Sequence, residues 1–189
     1  MKSTIRKELI EKRKKIPKKE VLEKSKKIKE RLFETEEFKQ ASTILFYVSY
    51  DNEVYTQDMI KECLKKDKTV VVPISNVEER NLILSKLKNW KDLKKGSYGI
   101  LEPKKEKIIE ISKHDIDLVI VPGVGFDEHG CRIGHGVGFY DELLKDSKNA
   151  YHIGLAFELQ ILEKIPIEDH DIPVHRIITE ERIIYCYQH

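Results

Sequence analysis

Cysteine is scarce: Cys63, Cys131 and Cys186 are three in 189 residues, odd in number, widely spaced and without a CxxC pair. That excludes a disulfide-built scaffold and a cysteine zinc site, and it suits a reducing cytoplasm. Long apolar runs are missing too. The longest, residues 44–48 and 118–121, fall far short of the roughly 20 residues that span a bilayer, and mean hydropathy is −0.49. No apolar stretch follows the N-terminus in the manner of a secretory signal. There is no internal repeat, low-complexity tract or long linker. Gln (four) and Asn (five) are few beside abundant Lys and Glu, a bias associated with heat adaptation. With 40% apolar and 36% charged residues, the expectation is one cytoplasmic domain over residues 1–189, without membrane association.

Charge is uneven. Residues 1–40 carry 15 Lys/Arg against 8 Asp/Glu, and the remainder 20 against 25. A basic arm on an acidic body is one form that nucleic-acid binders take. Here Lys and Glu interleave and no aromatic residue precedes Phe33, whereas RNA recognition usually adds stacking rings. A solvated helical face accounts for the charge, and no nucleic-acid partner is expected.

Hydrophobic spacing predicts the order of elements. Ser3 is a plausible N-cap for a first helix carrying Ile5, Leu9 and Ile10, which Pro17 interrupts. A second helix over 18–33 has Val21, Leu22, Ile28 and Leu32 as its buried stripe. The period then changes. Strands are predicted at 43–50, 69–74, 116–121, 151–157 and 182–187, with an antiparallel strand at 81–88 and helices at 56–66, 139–145 and 158–164. Strands alternating with helices predict an α/β fold: three layers, a mostly parallel sheet with helices on both faces, and an N-terminal helical segment. In such sheets ligands bind beyond the carboxyl ends of the strands, here after Val48, Ile74, Val121 and Ala156.

One segment stands apart in composition. Six of the nine glycines lie between Gly123 and Gly138, and glycine's entropic cost makes that density informative. Backbone amides free of side chains can close around an anion, and a helix starting near Phe139 adds its positive end. Arg132, Tyr140 and Asp141 flank the glycines with phosphate-binding and metal-binding chemistry. The loop lacks the Gly-Lys-Ser/Thr of a Walker A motif, and Gly134-x-Gly136-x-Gly138 lacks the dinucleotide spacing. A phosphorylated-sugar enzyme remains compatible with such a loop.

Pro122-Gly-Val-Gly-Phe-Asp127 followed by Gly130-Cys-Arg132-Ile-Gly134-x-Gly136-x-Gly138-Phe-Tyr140-Asp141 resembles the signature of the 5-formyltetrahydrofolate cyclo-ligase family. Lys2-x-x-x-Arg6, Asn52-Glu53-Val-Tyr-Thr56, Gly96-Ser-Tyr-Gly99-Ile-Leu-Glu102-Pro103, Gly154-Leu-Ala-Phe157 and Asp169-His-Asp171 are similar to further family stretches, in the same order. The resemblance implies conversion of 5-formyltetrahydrofolate and ATP to 5,10-methenyltetrahydrofolate, ADP and phosphate, with Mg²⁺, by a monomer or weak dimer acting on small molecules. It implies Arg132 and Tyr140 as catalytic residues. ATP contacts would come from Lys2, Arg6, Arg132, Ile133, Gly134, His135, Gly136, Val137, Gly138, Phe139 and Tyr140. Folate contacts would come from Val48, Glu53 and the stretch His135, Gly136, Val137, Gly138, Phe139. Asp141 and Asp171 would hold the metal. Val137 offers no cation where some family members place lysine, which leaves more phosphate charge to Arg132, Lys2 and Arg6. Trp90 and Tyr98 are candidate stacking rings or plain packing. His170 and His175 lack a third ligand at transition-metal spacing.

Overall fold

The computed structural model describes residues 1–186. Its helices are α1 (Lys2–Lys14), α2 (Lys18–Glu34), α3 (Glu36–Gln40), α4 (Gln57–Leu64) and α5 (Phe139–Asp146). Its strands are β1 (Thr43–Leu45), β2 (Thr69–Asn76), β3 (Asn81–Leu87), β4 (Leu93–Lys95), β5 (Leu101–Pro103), β6 (Leu118–Val121), β7 (Gly125–Asp127), β8 (Arg132–Ile133), β9 (Tyr151–Leu155), β10 (Ile161–Leu162), β11 (Arg176–Ile178) and β12 (Ile183–Tyr185).

The Val- and Ile-rich strands form a seven-stranded sheet in the order β12-β11-β9-β6-β1-β2-β3. Its inner pairings are parallel, and β12 and β3 add antiparallel edges. The two-residue alternation of each strand splits its side chains between two cores. Ile44, Val70, Leu118, Ile120 and Ile153 pack with Val21, Ile28 and Leu32 of α2, Phe38 of α3 and Met59 and Ile60 of α4. Leu45, Val71, Val119, Val121 and Ile177 pack with Leu143 and Leu144 of α5. Helices therefore cover both faces, and the expected mostly parallel α/β fold is observed. All four residues of β6 are buried, as its unbroken apolar run requires.

A separate small sheet, β10-β7-β8, lies beside the main one. The first helix packs on it through Leu9, which joins Val124, Cys131, Ile133 and Ile165. A side chain on Gly125 would come within 2.6 Å of a Leu9 methyl carbon, so α1 sits close against β7. That docking holds the N-terminal cations near the glycine-rich loop.

Several elements differ from the sequence expectation. Helix α1 starts at Lys2, with Met1 rather than Ser3 in the cap position. In α2 the buried stripe uses Ser25 instead of Leu22, which is 39% exposed, because the Ser25 hydroxyl accepts the Tyr55 N–H at 2.8 Å. Strand β1 ends at Leu45 because side chains take over the backbone bonding beyond it. Ser49 N donates to Thr56 Oγ1, Thr56 N to Ser49 Oγ (both 3.0 Å), and Thr56 Oγ1 to Tyr47 O (2.6 Å). The predicted helix at 158–164 is a single turn, Glu158–Gln160, followed by β10. The buried Gln160 amide donates to the carbonyls of Gly123 and Val124 at 3.0 and 2.9 Å, which ties this turn to the segment before β7. The last strand is Ile183–Tyr185; Tyr187, the end of its predicted span, lies outside the described residues. Trp90 packs against the α2–α4 core with Lys61 Nζ 4.7 Å above its ring, and is a packing residue.

His175 serves the sheet instead of a metal. Its Nδ1 accepts the His152 N–H at 2.9 Å. The His152 Nε2 lies 3.1 Å from the Ser147 carbonyl oxygen, so it carries the proton, and its Nδ1 is buried without a partner. Burial holds the His152 pKa down to about 4 against 6.5 for a free imidazole. The unfolded chain therefore takes up a proton near pH 6.5 and the folded chain only near 4, so stability present above pH 6.5 is lost as the pH falls between those values. The loss is expected to reach about 3 kcal/mol at pH 4. Denaturant titrations at pH 7 and pH 4 should show a smaller drop for His152→Asn than for the native chain; equal drops would contradict this origin.

Candidate active site

The glycine-rich loop is an extension of the β7–β8 hairpin. Arg132 pairs with Phe126 in that hairpin, the loop 134–138 follows, and α5 begins at Phe139. Gly136 and Gly138 have φ of +95° and +82°, values that side-chain-bearing residues rarely adopt; Gly138 caps α5. The N-terminus of α5 thus faces the loop with its positive end.

Arg132 is buried, and it reaches the loop because Gly134 has no side chain: a Cβ there would lie 2.9 Å from Arg132 Nη1. Its Nη2 donates to Asp141 Oδ1 at 3.0 Å and Nη1 to the Pro122 carbonyl at 3.5 Å, while Nε is buried with no partner. Burial lowers the guanidinium pKa, and the Asp141 charge opposes it. From α1, Arg6 Nε donates to the Gly134 carbonyl at 2.7 Å. Lys2 Nζ donates to Asp171 Oδ2 at 2.6 Å and lies 3.4 Å from Glu168. Burial works against the Lys2 charge, but its bond to Asp171 and the two acidic neighbours outweigh this and raise its pKa.

Ligand atoms of Asp141, His170 and Asp171 lie within 4.8 Å of one another. The two carboxylates offer the hard oxygens that a cation such as Mg²⁺ takes, with the His170 imidazole beside them. In this structure Arg132 and Lys2 neutralise the two aspartates.

These residues border one cavity of about 320 Å³. Every predicted site residue lines it: Lys2 and Arg6 from α1, Val48 and Glu53 beyond β1, Arg132 and Ile133 of β8, Gly134, His135, Gly136, Val137 and Gly138 of the loop, Phe139, Tyr140 and Asp141 of α5, and Asp171. The structure leaves none of them elsewhere. Glu53 is buried and accepts the Tyr50 N–H at 3.0 Å on Oε2, with Oε1 3.5 Å from His135 Nε2. The Tyr140 hydroxyl is buried without a partner. Burial and the Glu53 charge push its pKa above the ordinary tyrosine value, against the pull of Arg132, so it stays a proton donor at neutral pH.

A sequence profile of the 5-formyltetrahydrofolate cyclo-ligase family matches residues 1–180. The chain belongs to that family. A 5-formyltetrahydrofolate cyclo-ligase of Haemophilus influenzae is 32% identical over 147 residues, covering 76% of this chain and 78% of the relative. The mouse cyclo-ligase is 28% identical over 162 residues, 80% of each chain. The solution structure of a 5,10-methenyltetrahydrofolate synthetase from Aquifex aeolicus superposes with a TM-score of 0.87 at 32% identity, covering all of this chain and 94% of that one.

This cyclo-ligase cavity has further walls, some of them from the family-like stretches 96–103 and 169–171. Tyr47, Tyr50, Pro73 and Ser75 come from the ends of β1 and β2, as the carboxyl-end rule implies. Tyr98 and Glu102 come from the β4–β5 hairpin, and His170 from the turn before Asp171. Tyr98 is thus a cavity residue, unlike Trp90. The pairing of His170 with Asp141 spans 29 positions, and no local spacing announces it. The basic N-terminal helices direct several cations inward or along their own surface: beside Lys2 and Arg6, Arg31 donates to the Glu180 carbonyl at 3.0 Å and Lys29 to Glu62 at 2.8 Å. No helix among the described residues is long and apolar enough to cross a membrane.

Proposed function

We propose that this chain, acting in the cytoplasm as a single domain and a monomer or weak dimer, converts 5-formyltetrahydrofolate to 5,10-methenyltetrahydrofolate with ATP, releasing ADP and phosphate. One observation carries the reading: a buried arginine with an unpartnered Nε stands beside a left-handed glycine loop, in a cavity that also contains buried carboxylates. The first set suits a polyphosphate and the second a polar heterocycle, so one cavity takes both reactants.

A formamide oxygen is a poor leaving group, and transfer of the γ-phosphoryl group to it makes it a good one. The other folate nitrogen then attacks the activated carbon and phosphate departs. Such a reaction asks the protein chiefly to position two substrates and to spread charge on the phosphoryl oxygens. Arg132 and the amides of the 134–138 loop supply that charge complement, with Lys2 and Arg6 closing over the phosphates from α1. Ile133, Gly134, His135, Gly136, Val137, Gly138 and Phe139 shape the nucleotide side. Val48, Glu53 and the same loop hold the folate. The Tyr140 hydroxyl donates to an oxygen of the reacting group. Asp141 and Asp171, with His170 beside them, would hold Mg²⁺, which when bound offsets phosphate charge. Lys2, bonded to Asp171 at 2.6 Å in this structure, would be free to pair with the phosphates if Asp171 held the metal instead.

The test is coupling. ADP release should need 5-formyltetrahydrofolate, ATP and a divalent cation together, at one ADP per folate consumed. ADP release that is independent of folate would refute the proposal and favour a different phosphoryl acceptor.

A further inference from the structure

The cavity holds two carboxylates that are more than nine-tenths buried, Glu53 at 7% and Glu102 at 8% exposure. Glu53 has both oxygens engaged, by the Tyr50 N–H and by His135. Glu102, on β5, has one: Oε1 accepts the Ser75 N–H from the end of β2 at 3.0 Å. Among the described residues no Lys, Arg or His forms an ion pair with it, and Oε2 accepts no hydrogen bond. Oε2 is not among the buried atoms that lack a partner, so it stands as a free acceptor open to the cavity. Phosphoryl transfer and ring closure as proposed leave Glu102 without a task.

Its position is also built. Gly96 lies in the hairpin between β4 and β5, with φ −112° and ψ −147°. A Cβ there would fall 2.6 Å from the Glu102 carboxyl carbon, and all three nearest atoms belong to Glu102. The missing side chain is the room in which the carboxylate lies. Tyr98, on the same hairpin, is held at a left-handed φ of +59° and lines the cavity beside it.

We propose that Glu102 is the substrate-binding residue that recognises the pterin head of the folate, accepting its ring N–H and exocyclic amino group as a side-by-side pair. The proposal rests on the folate function proposed for this cavity. A carboxylate offers acceptors only. The 2-amino-4-oxo-pyrimidine edge presents two adjacent donors, the match a carboxylate takes with two parallel bonds. The adenine edge presents one donor beside an acceptor nitrogen, and phosphate oxygens are repelled. Glu102 therefore separates the two reactants as well as binding one.

The test measures equilibrium binding by calorimetry, without turnover, for the native chain, Glu102→Gln and Gly96→Ala. The ligands are 5-formyltetrahydrofolate, its analogue lacking the 2-amino group, and ATP. Glu102→Gln should weaken folate binding about 10- to 100-fold, lose far less affinity for the analogue, and leave ATP affinity unchanged. Gly96→Ala, which displaces the carboxylate without removing it, should give part of the same loss. Native-like folate affinity in Glu102→Gln would overturn the proposal and leave the folate function standing. So would an equal loss for folate and analogue, which marks a structural role. A folded native chain that binds no folate would overturn the folate function and the proposal with it.

Discussion

Arg132→Ala should retain the fold and lower turnover by about a thousandfold, the scale on which a single positioned arginine acts in phosphoryl transfer. The side chain is buried beside the glycine loop, its Nη2 spent on Asp141 and its Nε unpartnered. Its other contacts are a long bond to the Pro122 carbonyl at 3.5 Å, the Tyr140 ring 5.8 Å from its guanidinium carbon, and the space beside Gly134. Asp141, released from its partner, stays in the first turn of α5, where the helix dipole favours an anion. Structure should therefore survive, as circular dichroism can verify, while charge on the transferring group loses its nearest buried complement. Arg132→Lys, which keeps a charge but not the planar fork, should fall between the two. Turnover of Arg132→Ala near the native rate would remove Arg132 from the chemistry.

The second large effect separates activity from stability. The Tyr140 hydroxyl is buried and makes no hydrogen bond to any described residue, and such an orphan costs about 1–3 kcal/mol. Tyr140→Phe keeps the ring, which packs between the two main cores, and deletes the orphan. Melting temperature should rise by a few degrees, since 1 kcal/mol is worth about 2–4 °C in a chain of this size. Turnover should fall about 10- to 100-fold, the loss of one hydrogen bond to a charged group. A hydroxyl with a purely structural role would give the reverse: a lower melting temperature and unchanged turnover.

Much of this site is legible in the sequence because its chemistry is local. Arg132, the glycines and Asp141 fall within ten positions, and their spacing already describes a loop running into a helix. Lys2 and Arg6 lie far away in sequence and are reached only through family resemblance; α1 brings them in by docking Leu9 against Gly125. Glu102 and His170 lie within the stretches 96–103 and 169–171, which resemble family motifs, but the resemblance assigns neither of them a role. Each becomes a site residue through a long-range packing event, the β5 contact with β2 for one and the approach of the turn before Asp171 to α5 for the other. The fold shows the same division. Strands β2, β3, β6 and β9 follow apolar patterns and are readable. The β7–β8–β10 sheet, with strands of two and three residues, is held by long-range bonds such as those of the Gln160 amide, and periodicity cannot register so short a strand. Leu22 is not a core residue because a neighbouring serine has a hydrogen-bonding task inside.

The central claim is ring closure of a formyl folate at the expense of ATP. Its most direct measurement is the absorbance of the protein mixed with 5-formyltetrahydrofolate, ATP and Mg²⁺. The methenyl product carries a conjugated amidinium that the substrate lacks, so a new near-ultraviolet band should grow, and omission of ATP or addition of EDTA should abolish it. A flat trace from folded protein that binds both reactants would contradict the account.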